Sequence, residues 1–166
     1  MTPEQALFLR DFLLQSHEYE AAVTPKVLAA VPEGKLGFKP DEKSRPAGEL
    51  AWHVAVSEKI FLDSIAAGEF NWDESGMPEA TSGKELAAWY EANIPASLAK
   101  VKAMDGEALT RTIPFFGMFN LPAVAYLNFM LCHTIHHRGQ LAGWLRAMGG
   151  AVPSIYGGSA DEPMQG

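Results

Sequence analysis

One cysteine in 166 residues, Cys132, excludes an internal disulfide, and nothing points to an oxidising compartment. Basic residues are outnumbered as well. Lys and Arg total 13 against 20 Asp and Glu, a formal net charge of −7, and no Lys/Arg cluster stands out. A nucleic-acid partner, which needs a basic face to neutralise phosphate, is therefore not expected. Uncharged apolar runs of membrane-spanning length are missing: the longest, Leu121 to Cys132, is broken by Asn128, and the N-terminus carries charge too early for a secretory leader. Sustained strand alternation, internal repeats and low-complexity tracts are absent too. The expectation is a soluble cytoplasmic protein of one domain spanning residues 1–166, which at 48% hydrophobic residues is able to bury a real core.

Helical periodicity is what the chain does have, in four segments. The first opens at Thr2, with Pro3 suited to the first helical position and Gln5 completing a capping box. Phe8, Phe12, Tyr19 and Val23 line one side of it, and Pro25 is expected to kink or interrupt it. The second starts near Ser44–Pro46 and runs to Ala67, stopped by Gly68. A third begins near Thr81 or Ser82, with Glu85 placed to help cap it, and reaches about Met104 through Pro95. The fourth runs from about Asn120 to Met148 and stops at Gly149–Gly150, while 33–45, 68–80, 105–119 and the tail read as loops. Four helices of this length suit an all-α four-helix bundle, although the connections are too long to select its topology.

Residues 133–141, HTIHHRGQL, put three of the five histidines within five positions of an otherwise apolar helix. His133 and His137, four apart, share a face with Tyr126, Met130, Leu141 and Trp144, so both point inward. Pattern alone leaves a 133/136 pairing open. Two buried imidazoles need a partner that offsets their desolvation, and a stable divalent site normally needs a third ligand. His53, on an inward stripe with Leu50, Val56 and Ile60, is the better candidate; His17 is expected to be exposed. A lone inward histidine is commonly just a satisfied core residue, so the argument rests on the pair.

HHRGQL on the last helix, with the isolated His53 in ELAWH about eighty residues upstream, resembles the DinB-like (DinB/YfiT) superfamily. The resemblance spans nearly the whole chain, from YEAA at 19–22 through PDEKSRPAGELAWHVAVSE at 40–58 to VPSIYGGSADE at 152–162. It implies an up-down-down-up four-helix bundle in which three histidines bind a divalent metal, carried over here to His53, His133 and His137. Two features depart from the pattern: Pro46 stands where a serine or threonine cap is expected, and His136 is an extra imidazole. Three neutral nitrogens suit Zn²⁺, Ni²⁺ or Fe²⁺ alike, and leave a coordination position open for water or substrate. Since some relatives are thiol-dependent transferases or isomerases, the resemblance favours a metalloenzyme acting on a small molecule, with a low-molecular-weight thiol as co-substrate. A hydrolase with an ion-bound hydroxide as nucleophile and a non-catalytic metal-binding stress protein are the alternatives.

Around these three, Glu49 lies one turn before His53 and is placed either to accept its second ring N–H or to face solvent at the helix start. Gln140, three residues after His137, reaches the pocket or its rim, and His136 is a neighbour of the site or simply packed. Arg138 is expected to be a surface charge paired with a carboxylate, Glu58 to be solvated, and Cys132 to be a small buried hydrophobe. Gly139 and Gly143 form a flat strip that lets another helix approach, either inside the bundle or from a second subunit, and a helix apolar nearly all round suits a homodimer, as the resemblance also implies. Val152, Ile155 and Tyr156 make the tail, 149–166, too apolar for a free coil, and it is expected to pack on the bundle.

Overall fold

Helix boundaries fall where local chemistry stops the backbone. The structure, a computed structural model, describes residues 1–80 and 82–164. Helix α1 (Pro3–Ala29) opens on the expected capping box: the Gln5 amide donates to Thr2 Oγ1 at 3.3 Å and the Thr2 amide to Gln5 Oε1 at 2.9 Å. Pro25 does not end it; buried between neighbours, it is carried through to Ala29. Helix α2 (Ala47–Ala67) starts at Pro46 without a side-chain cap. Its first amides bond instead to the preceding loop, Ala47 to the Phe38 carbonyl at 2.8 Å and Gly48 to that of Leu36 at 2.7 Å. That loop presses so closely that a Cβ at Gly48 would meet Leu36 Cβ at 2.9 Å. Gly68, at φ +82°, ends the helix in the left-handed region that favours glycine. Helix α3 (Gly83–Lys102) has Ser82 as N-cap with Glu85 completing a capping box; Thr81, the alternative start, lies outside the described residues.

Beyond α3 the sequence reading needs correction. The expected loop 105–119 contains a short helix, α4 (Gly106–Thr110), and strand β1 (Thr112–Phe115). The expected start of the last long helix near Asn120 is strand β2 (Phe119–Pro122), paired antiparallel with β1 in the register Ile113↔Leu121 and Phe115↔Phe119. Helix α5 (Ala125–Leu145) follows, ending in a 3-10 turn closed by Gly149. Each strand has four residues, too few to show alternation against helical neighbours.

The chain is therefore mostly helical with one small hairpin. Helix α1 packs on α3 and α5, and α2 packs on the same two. Marker contacts across these seams are Gly83 against the Leu28 carbonyl, Glu58 to Tyr90, Phe61 to Phe129, and Glu20 to Arg138. Leu28, Leu50, Val54, Phe61, Leu62 and Leu127 are at most 1% exposed, each contributing roughly 1.5–3 kcal/mol through burial. Among the described residues no helix is long and apolar enough to cross a membrane.

Polar side chains occupy the interior where the sequence pattern placed them outside. His17, expected to be exposed, is buried, its Nε2 2.6 Å from Oε1 of Glu58, and Glu58, expected to be solvated, is buried with it and accepts a 2.5 Å bond from the Tyr90 hydroxyl. Burial, reinforced by the Glu58 charge, raises the Tyr90 phenol well above its ordinary range. Arg138 is likewise buried rather than on the surface, ion-paired to Glu20 at 2.5 Å and bonded to Thr24 and Tyr156. The inward face of α1 thus carries His17, Glu20 and Thr24, which rotates Phe8, Phe12 and Tyr19 outward, 75%, 58% and 52% exposed, while Val23 stays buried. Cys132 is exposed, not buried. The tail after Gly149 lies against α1 and α5, with Tyr19 donating to the Ile155 carbonyl at 2.8 Å and Tyr156 to Glu20 at 2.9 Å.

Candidate metal centre

Antiparallel contact between α2 and α5 brings the three singled-out histidines together. His133 and His137 stand one turn apart on α5, and His53 faces them from α2, with ring centroids 4.5–4.9 Å apart. One ring nitrogen from each lies within 4.8 Å of the others. A tetrahedral ion with nitrogen bonds of about 2.0–2.1 Å needs nitrogens about 3.3 Å apart, so modest side-chain rotations close the set. Phe61 packs against His133 at 5.6 Å, and Trp72 against both His53 and His133, forming an aromatic wall.

Each of the three rings has its Nδ1 engaged. His53 Nδ1 is 2.8 Å from Oε1 of Glu74, a carboxylate that can only accept when ionised. His137 Nδ1 is 3.2 Å from the amide oxygen of Gln140. His133 Nδ1 lies 3.4 Å from the Ser57 hydroxyl, which already donates to the His53 carbonyl at 2.5 Å and so is free to accept. All three contacts favour the tautomer with the proton on Nδ1, leaving an Nε2 lone pair on every ring.

Electrostatics push the same way. Burial, then the charge-sensitive neighbours His137, His53 and His136, then Arg45, drive His133 down to about 3. Burial lowers His137 as well, partly opposed by its bond to Gln140. Both rings are therefore neutral at pH 7, the protonation state a metal ligand needs.

Of the two readings of Glu49, the solvent-facing one fits: it is exposed at the start of α2, and Glu74, not Glu49, meets His53 Nδ1. The indole N–H of Trp72 donates to Glu74 Oε1 at 2.7 Å, and the indole N–H of Trp52 donates to the Glu74 carbonyl at 2.7 Å. Sequence reasoning missed Glu74 because it sits in the 68–80 loop, where the only signal was an acidic residue two positions after a tryptophan. Gln140 meets His137 as anticipated, and the exposed ring of His136 lies 4.8 Å from His137 on the outer side of α5. Of the stripe expected to face inward, Tyr126, Met130 and Leu141 are buried and Trp144 is half-buried.

Comparison with known proteins adds the family. The model of the DinB family matches residues 5–165. YrdA of Bacillus subtilis (strain 168), an uncharacterized protein, is 30% identical over 156 residues, covering 92% of this chain and 90% of its own. A crystal structure of a DinB-like protein from Bacillus cereus ATCC 10987 matches with a TM-score of 0.73 at 28% identity, covering 87% of this chain and 95% of that one. The DinB-like protein YjoA from Bacillus subtilis matches with a TM-score of 0.68 at 25% identity, covering 89% and 96%.

Proposed function

The chain belongs to the DinB family, and we propose that His53, His133 and His137 hold a divalent metal ion through Nε2 and that the protein is a metalloenzyme acting on a small molecule there. The observation that carries this reading is the engagement of all three Nδ1 atoms, by Glu74, Ser57 and Gln140, which leaves an Nε2 lone pair on each ring of a cluster whose ring nitrogens approach within 4.8 Å of one another. Three protein ligands leave a position open, as catalytic sites do. When bound, such an ion is a Lewis acid that activates a coordinated water or thiol near neutral pH. The chain's own residues do the rest: Glu74 fixes the tautomer and angle of His53, two indoles fix Glu74, and Phe61 with Trp72 keeps bulk water off the inner side. Zn²⁺, Ni²⁺ and Fe²⁺ all suit three imidazoles, and a low-molecular-weight thiol is the co-substrate this reading takes first, ahead of a hydrolase.

The same reading takes the four long helices as an up-down-down-up bundle forming one domain, supported by the marker contacts across each seam. It takes the protein as a cytoplasmic homodimer, the dimer supported by the outward aromatic ridge Phe8–Phe12 and by Gly139 and Gly143, where an added Cβ would meet nothing within 4 Å. Elemental analysis of purified protein tests the centre: about one ion per chain is expected, lost in His53→Ala and His137→Ala and kept in His136→Ala. Full ion content in both of the first two variants refutes it. Turnover of an electrophile only when a small thiol is added separates transferase from hydrolase, and no turnover with thiol or water leaves the ion a structural role.

A further inference from the structure

Beside the three histidines lies a hollow of about 460 Å³ lined by Arg45, Glu49, Trp52, Glu74 and Met77. It shares Glu74 with the candidate centre, since that carboxylate also holds His53. Glu49 stands one turn before His53 on α2, and Arg45 lies just ahead of the helix, next to its N-cap Pro46, so the hollow extends from the histidines toward the start of that helix. Arg45 is also close enough for its charge to be felt at His133 and His137.

Two of the lining groups are charged and unengaged. Neither the Arg45 guanidinium nor the Glu49 carboxylate has a hydrogen-bond or ion-pair partner among the described residues, although the two are four positions apart. Glu49 has no duty toward His53, which Glu74 performs. Trp52 and Met77 supply the apolar part of the lining, and the Trp52 indole N–H is already committed to the Glu74 carbonyl. A cation able to bind a carboxylate through two parallel N–H groups, a separate free carboxylate, and an apolar wall match a ligand bearing both charges.

We propose that this hollow recognises a zwitterionic small molecule of the amino-acid type, its carboxylate on Arg45, its ammonium on Glu49 and its apolar part along Trp52 and Met77. The assignment names the substrate class of the same site and rests on reading the centre as an active site. Its test does not depend on the ion. Three probes differ only in charge: L-phenylalanine carries both groups, 3-phenylpropionate only the carboxylate, and phenylalaninamide only the ammonium. Binding is read from the indole N–H signal of Trp52 in two-dimensional NMR of the full chain.

Phenylalanine binds tightest in the unaltered protein. Arg45→Gln weakens phenylalanine and phenylpropionate about fivefold and leaves the amide unchanged, while Glu49→Gln weakens phenylalanine and the amide and leaves phenylpropionate unchanged. Both positions are exposed, so neither substitution endangers the fold. Equal binding of the three probes, no response at Trp52, or variants that change all three alike overturns the proposal. Ion content measured on the same preparations separates the two readings: a chain without ion that still discriminates keeps the hollow and loses the centre, and a loaded chain that does not discriminate does the reverse.

Discussion

Replacing Glu74 is the sharpest test of how the centre is held. Its Oε1 accepts from His53 Nδ1 at 2.8 Å and from the Trp72 indole at 2.7 Å, so Glu74→Ala removes the one group that sets both the tautomer and the tilt of the α2 imidazole. Losing such an outer support typically costs about 10–100-fold in metal affinity, equivalent to about 1.4–2.7 kcal/mol. Glu74→Gln keeps an oxygen acceptor without the charge and falls between the two. The cost to the fold is small, because the carboxylate is 29% exposed and the Glu74 carbonyl that anchors Trp52 survives either substitution. Competition between the protein and a chromophoric chelator for Zn²⁺ gives the affinity, and thermal melting of the metal-free variants checks the fold. Glu49→Ala serves as the control and leaves the affinity unchanged. If Glu74→Ala binds the ion as tightly as the parent while His53→Ala does not bind it, then Glu74 is ordinary loop packing and the tautomer argument fails.

The buried polar pairs are where single substitutions cost stability. Glu58→Ala strands His17 and Tyr90, and Glu20→Ala strands Arg138; each is expected to cost about 3–5 kcal/mol, and at about 2–4 °C per kcal/mol for a chain of this size the Tm falls by about 6–20 °C in a melting scan. The metal-free protein loses stability as the pH falls below about 6.5. An unfolded histidine protonates at its ordinary value while His133 stays neutral down to about 3, so the unfolded state takes up the proton first. Denaturant melts at pH 7.0 and 5.5 show the loss, and His133→Asn flattens it; an equal slope in that variant contradicts the assignment. Phe12→Asp places a charge on the outward ridge of α1, and sedimentation is expected to show a dimer for the parent and a monomer for the variant, without change in Tm.

Helix ends and the three histidines were legible because their signals are local. Thr2 with Gln5, Ser82 with Glu85, and Gly68 or Gly149 each act within one turn, so the backbone obeys them whatever packs nearby. His133 and His137 share a face by helix geometry alone, and His53 needed only to be inward on another helix. The hairpin at 112–122 was not legible: its first strand fell within the stretch 105–119 that reads as loop, and the apolar residues after Asn120 run on into the following helix.

The polar interior was read wrongly for a different reason, and it bears on the centre itself. Taken singly, His17, Glu20, Glu58 and Arg138 are each too costly to bury, so a pattern that scores residues one at a time must place them outside and turn the aromatic stripe of α1 inward. Their burial becomes affordable only in pairs, and the partners are remote: His17 meets Glu58 at a separation of 41 positions, and Arg138 meets the Glu20 carbonyl at 118. Glu74 escaped notice the same way, 21 positions from the ring it supports. The ligand histidines were found because two of them are local partners of each other. A metal site with one ligand per helix would have looked like the His17 position did, three polar residues each better placed in solvent.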